Sequence, residues 1–224
     1  MHEPVYRVFD EKPGAYDSWY DSEVGRPLYE SELICLKPLL NGLARPWLES
    51  GAGTGRFAVV LGMDYASDPA GGALRLASQR GVRAVISWGQ QLPFKDESMG
   101  AVFIIYALPF AGDQEGMVQD AARAAMSGGH VVLGVVPAES EWGRFYSDKA
   151  RQNDSFFTGA VFLPLAQVLE MASGAGLLLE TANSTLYQSP LSHSFHKEES
   201  RSGADPEAGF VALRFKKTRQ GRHD

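Results

Sequence analysis

Leu48-Glu49-Ser50-Gly51-Ala52-Gly53-Thr54-Gly55-Arg56-Phe57-Ala58 sets three glycines at alternate positions between an apolar approach and an apolar exit. Residues 46–49 read as a short strand, the glycines as a tight turn and 56–61 as the start of a helix. Such a turn lets backbone amides approach a ligand closely, and the helix that follows points its positive end at the same place. Two readings fit the letters. Residues 49–55 form an ExGxGxG pattern, while Gly53-Thr54-Gly55-Arg56-Phe57-Ala58 also fits the GxGxxA variant of the dinucleotide fingerprint.

Outward from the turn, strand and helix alternate. Residues 26–40 carry Leu28, Leu33, Ile34, Leu36, Leu39 and Leu40 near helical spacing and precede the first strand. After the turn come a strand at 63–67 ending at Asp68-Pro69, a helix at 73–80, strands at 82–87 and 101–106, a helix at 114–125 stopped by Gly128-Gly129, and a strand at 130–136. That order predicts a parallel sheet covered on both faces. A helical stretch after Ser140, a helix at 165–173 and late strands at 177–187 and 209–215 complete it. The segment 188–208, rich in Ser, Pro, Glu and Gly, reads as the longest loop.

Two carboxylates narrow the ligand. Glu49, at the end of the first strand, suits a ligand with an ammonium group and sits awkwardly beside a pyrophosphate, which favours S-adenosylmethionine over NAD. Asp68, at the end of the second strand, stands where an acceptor takes both hydroxyls of a ribose. The competing explanations are an ion pair for Glu49 and a helix N-cap for Asp68.

With these residues in view the sequence resembles the class I S-adenosylmethionine-dependent methyltransferases, in particular the small-molecule type called methyltransferase domain 11. The matching stretches are LESGAGTGRFA, Asp68-Pro69, LPFKDES at 92–98, Gly128-Gly129 before a strand, and YDSWYDSEVGR at 16–26. The resemblance implies an α/β, Rossmann-like fold: a seven-stranded, mostly parallel sheet with helices on both faces and the last strand antiparallel. It also implies S-adenosyl-L-methionine as cofactor and a small-molecule methyl acceptor. Where many members carry an acidic residue after the third strand, this chain has Ser87-Trp88-Gly89, which makes Trp88 a candidate stacking surface for adenine. The run Tyr16, Trp19, Tyr20 and Arg26 resembles the segment that folds over the cofactor in relatives, with Arg26 placed to meet the cofactor carboxylate.

The expected cofactor site therefore comprises Glu49, Gly51, Gly53, Gly55, Asp68, Trp88, Gly89, Tyr106, Arg26 and Trp19. The carboxyl-end rule for parallel sheets puts Tyr106 and Glu139, with Ser140 and Trp142, beside an acceptor pocket that Tyr16 and Tyr20 border. No catalytic base is assigned, since methyl transfer demands alignment first and a base only for a protonated acceptor. His130 opens its strand at the opposite end and reads as structural. His193 and His196 stand three apart without an evident third ligand, so no metal is expected. The alternatives are a non-catalytic nucleotide-binding module of the same fold and an NAD(P)-dependent oxidoreductase.

Composition agrees with a globular chain. Of 224 residues 44% are hydrophobic and 21% charged, and the net charge is -6. One domain over 1–224 is expected, with an N-terminal helical lid at 1–45, a core at 46–216 and a basic tail at 217–224. The acidic balance argues against a nucleic-acid partner, and the basic cluster Arg214, Lys216, Lys217, Arg219 and Arg222 reads as a solvated tail. The longest apolar run, 101–111, is eleven residues broken by Pro109, short of the roughly 20 that cross a bilayer. With no signal segment and only Cys35, a cytoplasmic setting is expected.

Overall fold

A computed structural model describes residues 6–152, 154 and 156–218. Helices α1 (Arg7–Glu11), α2 (Pro13–Trp19) and α3 (Gly25–Leu36) lead into β1 (Trp47–Ser50), α4 (Arg56–Leu61), β2 (Tyr65–Asp68), α5 (Gly71–Gln79) and β3 (Arg83–Ile86). There follow β4 (Met99–Ile105), α6 (Gln114–Ala124), β5 (Ala125–Val135), α7 (Glu141–Arg151), α8 (Leu165–Gly174), β6 (Leu177–Thr185), β7 (Arg201–Ser202) and β8 (Phe210–Lys217).

The strands form one sheet in the order β3-β2-β1-β4-β5-β8-β6-β7. β1 to β5 run parallel, and β8 enters antiparallel between β5 and β6. Among the described residues the sheet has eight strands where the sequence predicts seven. The addition is β7, which pairs Arg201 with Ser184 and Ser202 with Asn183 inside the segment read as a loop. Two residues show no period, so pattern reading has nothing to detect there.

β4 lies between β1 and β5, and all seven of its residues are buried, as an apolar run at the centre of a covered sheet demands. Its side chains alternate between two cores. Ala101, Phe103 and Ile105 pack with Leu28, Leu36, Phe57 and Leu74 from α3, α4 and α5, whereas Val102 and Ile104 pack with Val118, Ala121 and Val168 from α6 and α8. The basic end is less free than expected. Arg214 and Lys217 belong to β8, where Arg214 pairs with Glu180 at 2.7 Å and Lys217 donates to the Ala125 carbonyl at 2.8 Å. Arg219 and Arg222 lie outside the described residues. His130, on β5, is buried between Arg214 and Glu180. Burial pushes its pKa below the usual imidazole value, and the Arg214 charge adds to that. No helix among the described residues is long and apolar enough to cross a membrane.

Candidate active site

The glycine turn takes its shape from its own backbone and its neighbours. Gly51, Gly53 and Gly55 all have positive φ, a region that a Cβ disfavours. A side chain at Gly51 would collide with the Ala107 methyl, and one at Gly55 would meet the Ala77 methyl at 2.7 Å. Those two glycines let the turn pack onto the next elements. Gly53 differs, because a Cβ there would meet only Tyr16 Cε1, at 3.7 Å, and would otherwise project into a cavity.

That cavity, of about 330 Å³, opens at the carboxyl ends of β1, β2 and β4. Its walls include Gly51, Gly53, Asp68, Trp88, Gly89 and Tyr106. Asp68 organises the floor: one carboxylate oxygen accepts the Gly53 N–H and the other the Ala70 N–H, both at 2.8 Å. Burial pushes its carboxyl up to about 6 against the pull of those two bonds. Each oxygen retains a lone pair, so the carboxylate can also accept from a ligand. Among the described residues, Glu49 Oε2, Ser50 Oγ and Ser67 Oγ are buried side-chain atoms without a partner in β1 and β2, and none of these residues lines the cavity.

A second cavity, of about 530 Å³, adjoins the first. The two share Phe9, Tyr16, Tyr106 and Phe110, so these rings form the partition between them. Tyr106 follows β4 directly and holds φ +60, an uncommon value for a side-chain-bearing residue. Its hydroxyl donates to Glu32 Oε1 at 2.7 Å. Glu32 is 2% exposed on α3 and lines this second cavity. The rest of the wall is strongly aromatic, with Tyr20, Trp142, Tyr146 and Phe157 among it.

The N-terminal helices close over both cavities. Asp10 accepts the Gly72 N–H at the start of α5, and the Tyr6 and Trp88 rings meet nearly perpendicular with centroids 5.1 Å apart. Asp17 on α2 accepts from both Arg56 and Arg80, with contacts of 2.6–2.9 Å. Arg80 in turn donates to the Thr54 carbonyl inside the glycine turn. Burial raises the Asp17 carboxyl, but the two guanidiniums outweigh it and hold the group well below the usual carboxylate range.

Of the residues expected for the cofactor, Gly51, Gly53, Asp68, Trp88, Gly89 and Tyr106 are brought together on the first cavity. Glu49 lies beneath the turn, 1% exposed and outside both linings. Burial pushes its carboxyl well up, with the Ala58 N–H pulling the other way. Gly55 serves packing, and Trp19 borders the second cavity. Arg26 is largely exposed and pairs with Glu30 at 3.3 Å, away from both. Of the acceptor candidates, Tyr16, Tyr20 and Tyr106 line the second cavity, with Trp142 beside them. Glu139 does not, since its carboxylate accepts the Leu165 N–H at the start of α8. Ser140 is spent likewise, capping α7 through the Gly143 N–H. Among the described residues no three His, Cys, Asp or Glu side chains are grouped to hold a metal ion.

Glu32, Asp17, Arg56 and Arg80 were not anticipated. Glu32 did leave a signal: it falls four residues after Leu28 and four before Leu36, within the buried stripe of its helix.

The sheet order, the glycine turn after β1 and the acidic end of β2 define a class I S-adenosylmethionine-dependent methyltransferase fold. The chain belongs to that family, and the methyltransferase domain model matches residues 48–133. An uncharacterized protein of Mycobacterium tuberculosis H37Rv is 34% identical over 210 residues, which cover 94% of this chain and 74% of the relative. The crystal structure of a Thermotoga maritima S-adenosylmethionine-dependent methyltransferase, described as a possible histamine N-methyltransferase, superposes with a TM-score of 0.86 at 28% identity, covering 96% of this chain and all of that one. Magnesium protoporphyrin IX methyltransferase of Synechocystis PCC 6803, solved with bound S-adenosylhomocysteine, shares the fold at 13% identity, with a TM-score of 0.65 over 96% of this chain and 98% of its own.

Proposed function

We propose that the protein is an enzyme that transfers a methyl group from S-adenosylmethionine to a small molecule, with the cofactor in the smaller cavity and the acceptor in the larger. The observation that carries this is the pair of adjoining cavities at the carboxyl edge of the sheet, divided by Phe9, Tyr16, Tyr106 and Phe110. When bound, the cofactor supplies an electrophilic methyl group on a sulfonium whose charge is discharged in the reaction. Gly53 leaves room for a ligand against the backbone, Asp68 offers acceptors to ribose hydroxyls, and Trp88 presents a flat face to adenine. The partition rings exclude water and hold the acceptor in line, which is the main demand of a displacement of this kind. The N-terminal segment serves as the lid of one domain spanning the chain, and the lone Cys35 suits a cytoplasmic setting.

Calorimetry with S-adenosylmethionine, S-adenosylhomocysteine, NAD and NADP tests the assignment. Binding of the two sulfur ligands and of neither dinucleotide is expected, and the reverse pattern refutes it.

Asp68→Ala refines the site. The structural bonds from Gly53 and Ala70 lead us to expect a stability loss of about 1–2 kcal/mol, read as a lowered Tm. The lost ribose acceptor adds about 2 kcal/mol of weaker S-adenosylhomocysteine binding. A variant that is destabilised yet binds normally would make Asp68 a turn-organising group alone.

A further inference from the structure

The larger cavity has on its wall a buried carboxylate, one oxygen of which finds no partner among the described residues. Glu32 is 2% exposed, Oε1 takes the Tyr106 hydroxyl, and Oε2 has no partner among the described residues. A buried polar atom left without a partner carries a cost that a ligand can remove. Around it stand ring faces and edges: Tyr16 and Tyr20 with hydroxyls 2.7 Å apart, and Tyr146 stacked on Phe157 at 4.8 Å and on Phe162 at 5.8 Å. Lys149 reaches the same wall, but it is paired with Asp154 at 3.1 Å. An unpaired carboxylate oxygen among aromatic rings is a site for a cation, because the ring faces attract positive charge and the oxygen accepts its N–H.

We propose that the methyl acceptor is an amine with an apolar, aromatic-sized body, held as its ammonium by Glu32 Oε2 while its body fills the aromatic part of the cavity. The inference rests on the methyltransferase assignment above. A carboxylate acceptor would face Glu32 directly, and an alcohol would offer one uncharged hydrogen in place of a charged donor.

The same pair prepares the nitrogen. The ammonium passes a proton to Glu32 Oε2, giving a neutral amine and a neutral carboxylic acid, a transfer that low polarity favours because it removes two charges. The nitrogen lone pair then forms the N–C bond as the methyl–sulfur bond of the sulfonium breaks, and that bond's electrons stay on sulfur. One methylated ammonium and one thioether result, so a single positive charge is kept from start to finish. Glu32 afterwards returns its proton to solvent. Burial, opposed by the Tyr106 bond, lifts the Glu32 carboxyl to about 7, which suits a group that gives and takes a proton near neutrality. The groups that face it are Tyr106, Tyr16 from α2 and Tyr20 just after it, Tyr146 from α7, and Tyr29 and Cys35 on its own helix. Burial raises each of these, so they stay neutral while Glu32 titrates.

The test uses the full chain. S-adenosylhomocysteine is titrated first. Benzylamine, phenethylamine and tryptamine are then titrated at saturating S-adenosylhomocysteine, each beside its alcohol and carboxylate counterparts. At least one amine should bind about tenfold or more tightly than both counterparts. Glu32→Gln should erase that preference and leave S-adenosylhomocysteine affinity unchanged. Near pH 7 amine binding should release a fraction of a proton, read from calorimetry in buffers of different ionisation enthalpy, and the Gln variant should release none. Equal or better binding of the alcohols or carboxylates, no binding by any amine at millimolar concentration, or a preference that survives Glu32→Gln would overturn the inference. The ranking on the unaltered chain decides the matter even if the variant does not fold. Absence of S-adenosylhomocysteine binding would instead sink the underlying methyltransferase assignment.

Discussion

Gly53→Val should raise the dissociation constant for S-adenosylhomocysteine at least about a hundredfold, since a branched side chain would occupy the space where a ligand meets the turn. The position makes the experiment unusually clean. A Cβ at Gly53 meets nothing closer than Tyr16 Cε1 at 3.7 Å, so the protein itself can accommodate the addition and the ligand cannot. Backbone strain is the competing cause, because Gly53 has φ +52. Gly42→Val supplies the control: Gly42 has φ +75, nothing lies within 4 Å of its Cβ position, and it precedes β1 at the opposite edge of the sheet from the turn. Strain alone should lower the Tm of both variants, whereas only Gly53→Val should lose the ligand. If both bind normally, the cofactor lies elsewhere.

The parts of this molecule that were legible in the sequence are those written in period and punctuation. The glycine turn, the fully apolar β4 and the strand–helix alternation each repeat a local rule, and each stands within a few residues of where the pattern puts it. Side-chain direction was the first thing lost. Glu139 and Ser140 do follow the strand whose end borders the cavities, but backbone N–H groups at two helix starts claim them both. Arg26 sits on the outward side of α3 and finds Glu30 one turn along. Partners distant in the chain were the second loss. Arg56 lies 39 residues and Arg80 63 residues from Asp17, and no spacing rule links them. Glu32 falls between the two cases. Its place in the Leu28–Leu36 stripe marks it as a buried charge, yet the need for that charge emerges only once Tyr106, just after β4, and the rings of α2 and α7 surround it.

Asp17→Ala should cost about 3 kcal/mol, because it removes a mostly buried carboxylate and strips two arginines of their shared partner. Asp17 is 13% exposed, and four contacts of 2.6–2.9 Å join it to Arg56 and Arg80. Asp21 remains for Arg56, which limits the damage at that end, while among the described residues Arg80 keeps the Thr54 carbonyl. The loss should concentrate on the N-terminal helices, since this cluster is their main polar anchor to α4 and α5. Trypsin should then cut at Arg7, on α1, in the variant under conditions that spare the parent chain. S-adenosylhomocysteine should bind about tenfold more weakly, as Tyr6, Phe9 and Tyr16 cease to cover the cavity. Acidity gives an independent check. The folded-state carboxyl lies below its unfolded value of about 4, so its contribution is complete above that pH and is lost as the pH falls through the depressed folded value. The stability gap between parent and variant should therefore stay constant from neutrality down to about pH 5 and close on further acidification. A gap that persists unchanged at pH 2, or a variant whose N-terminal segment resists trypsin as the parent does, would show that ring packing rather than the Asp17 clamp holds the lid in place.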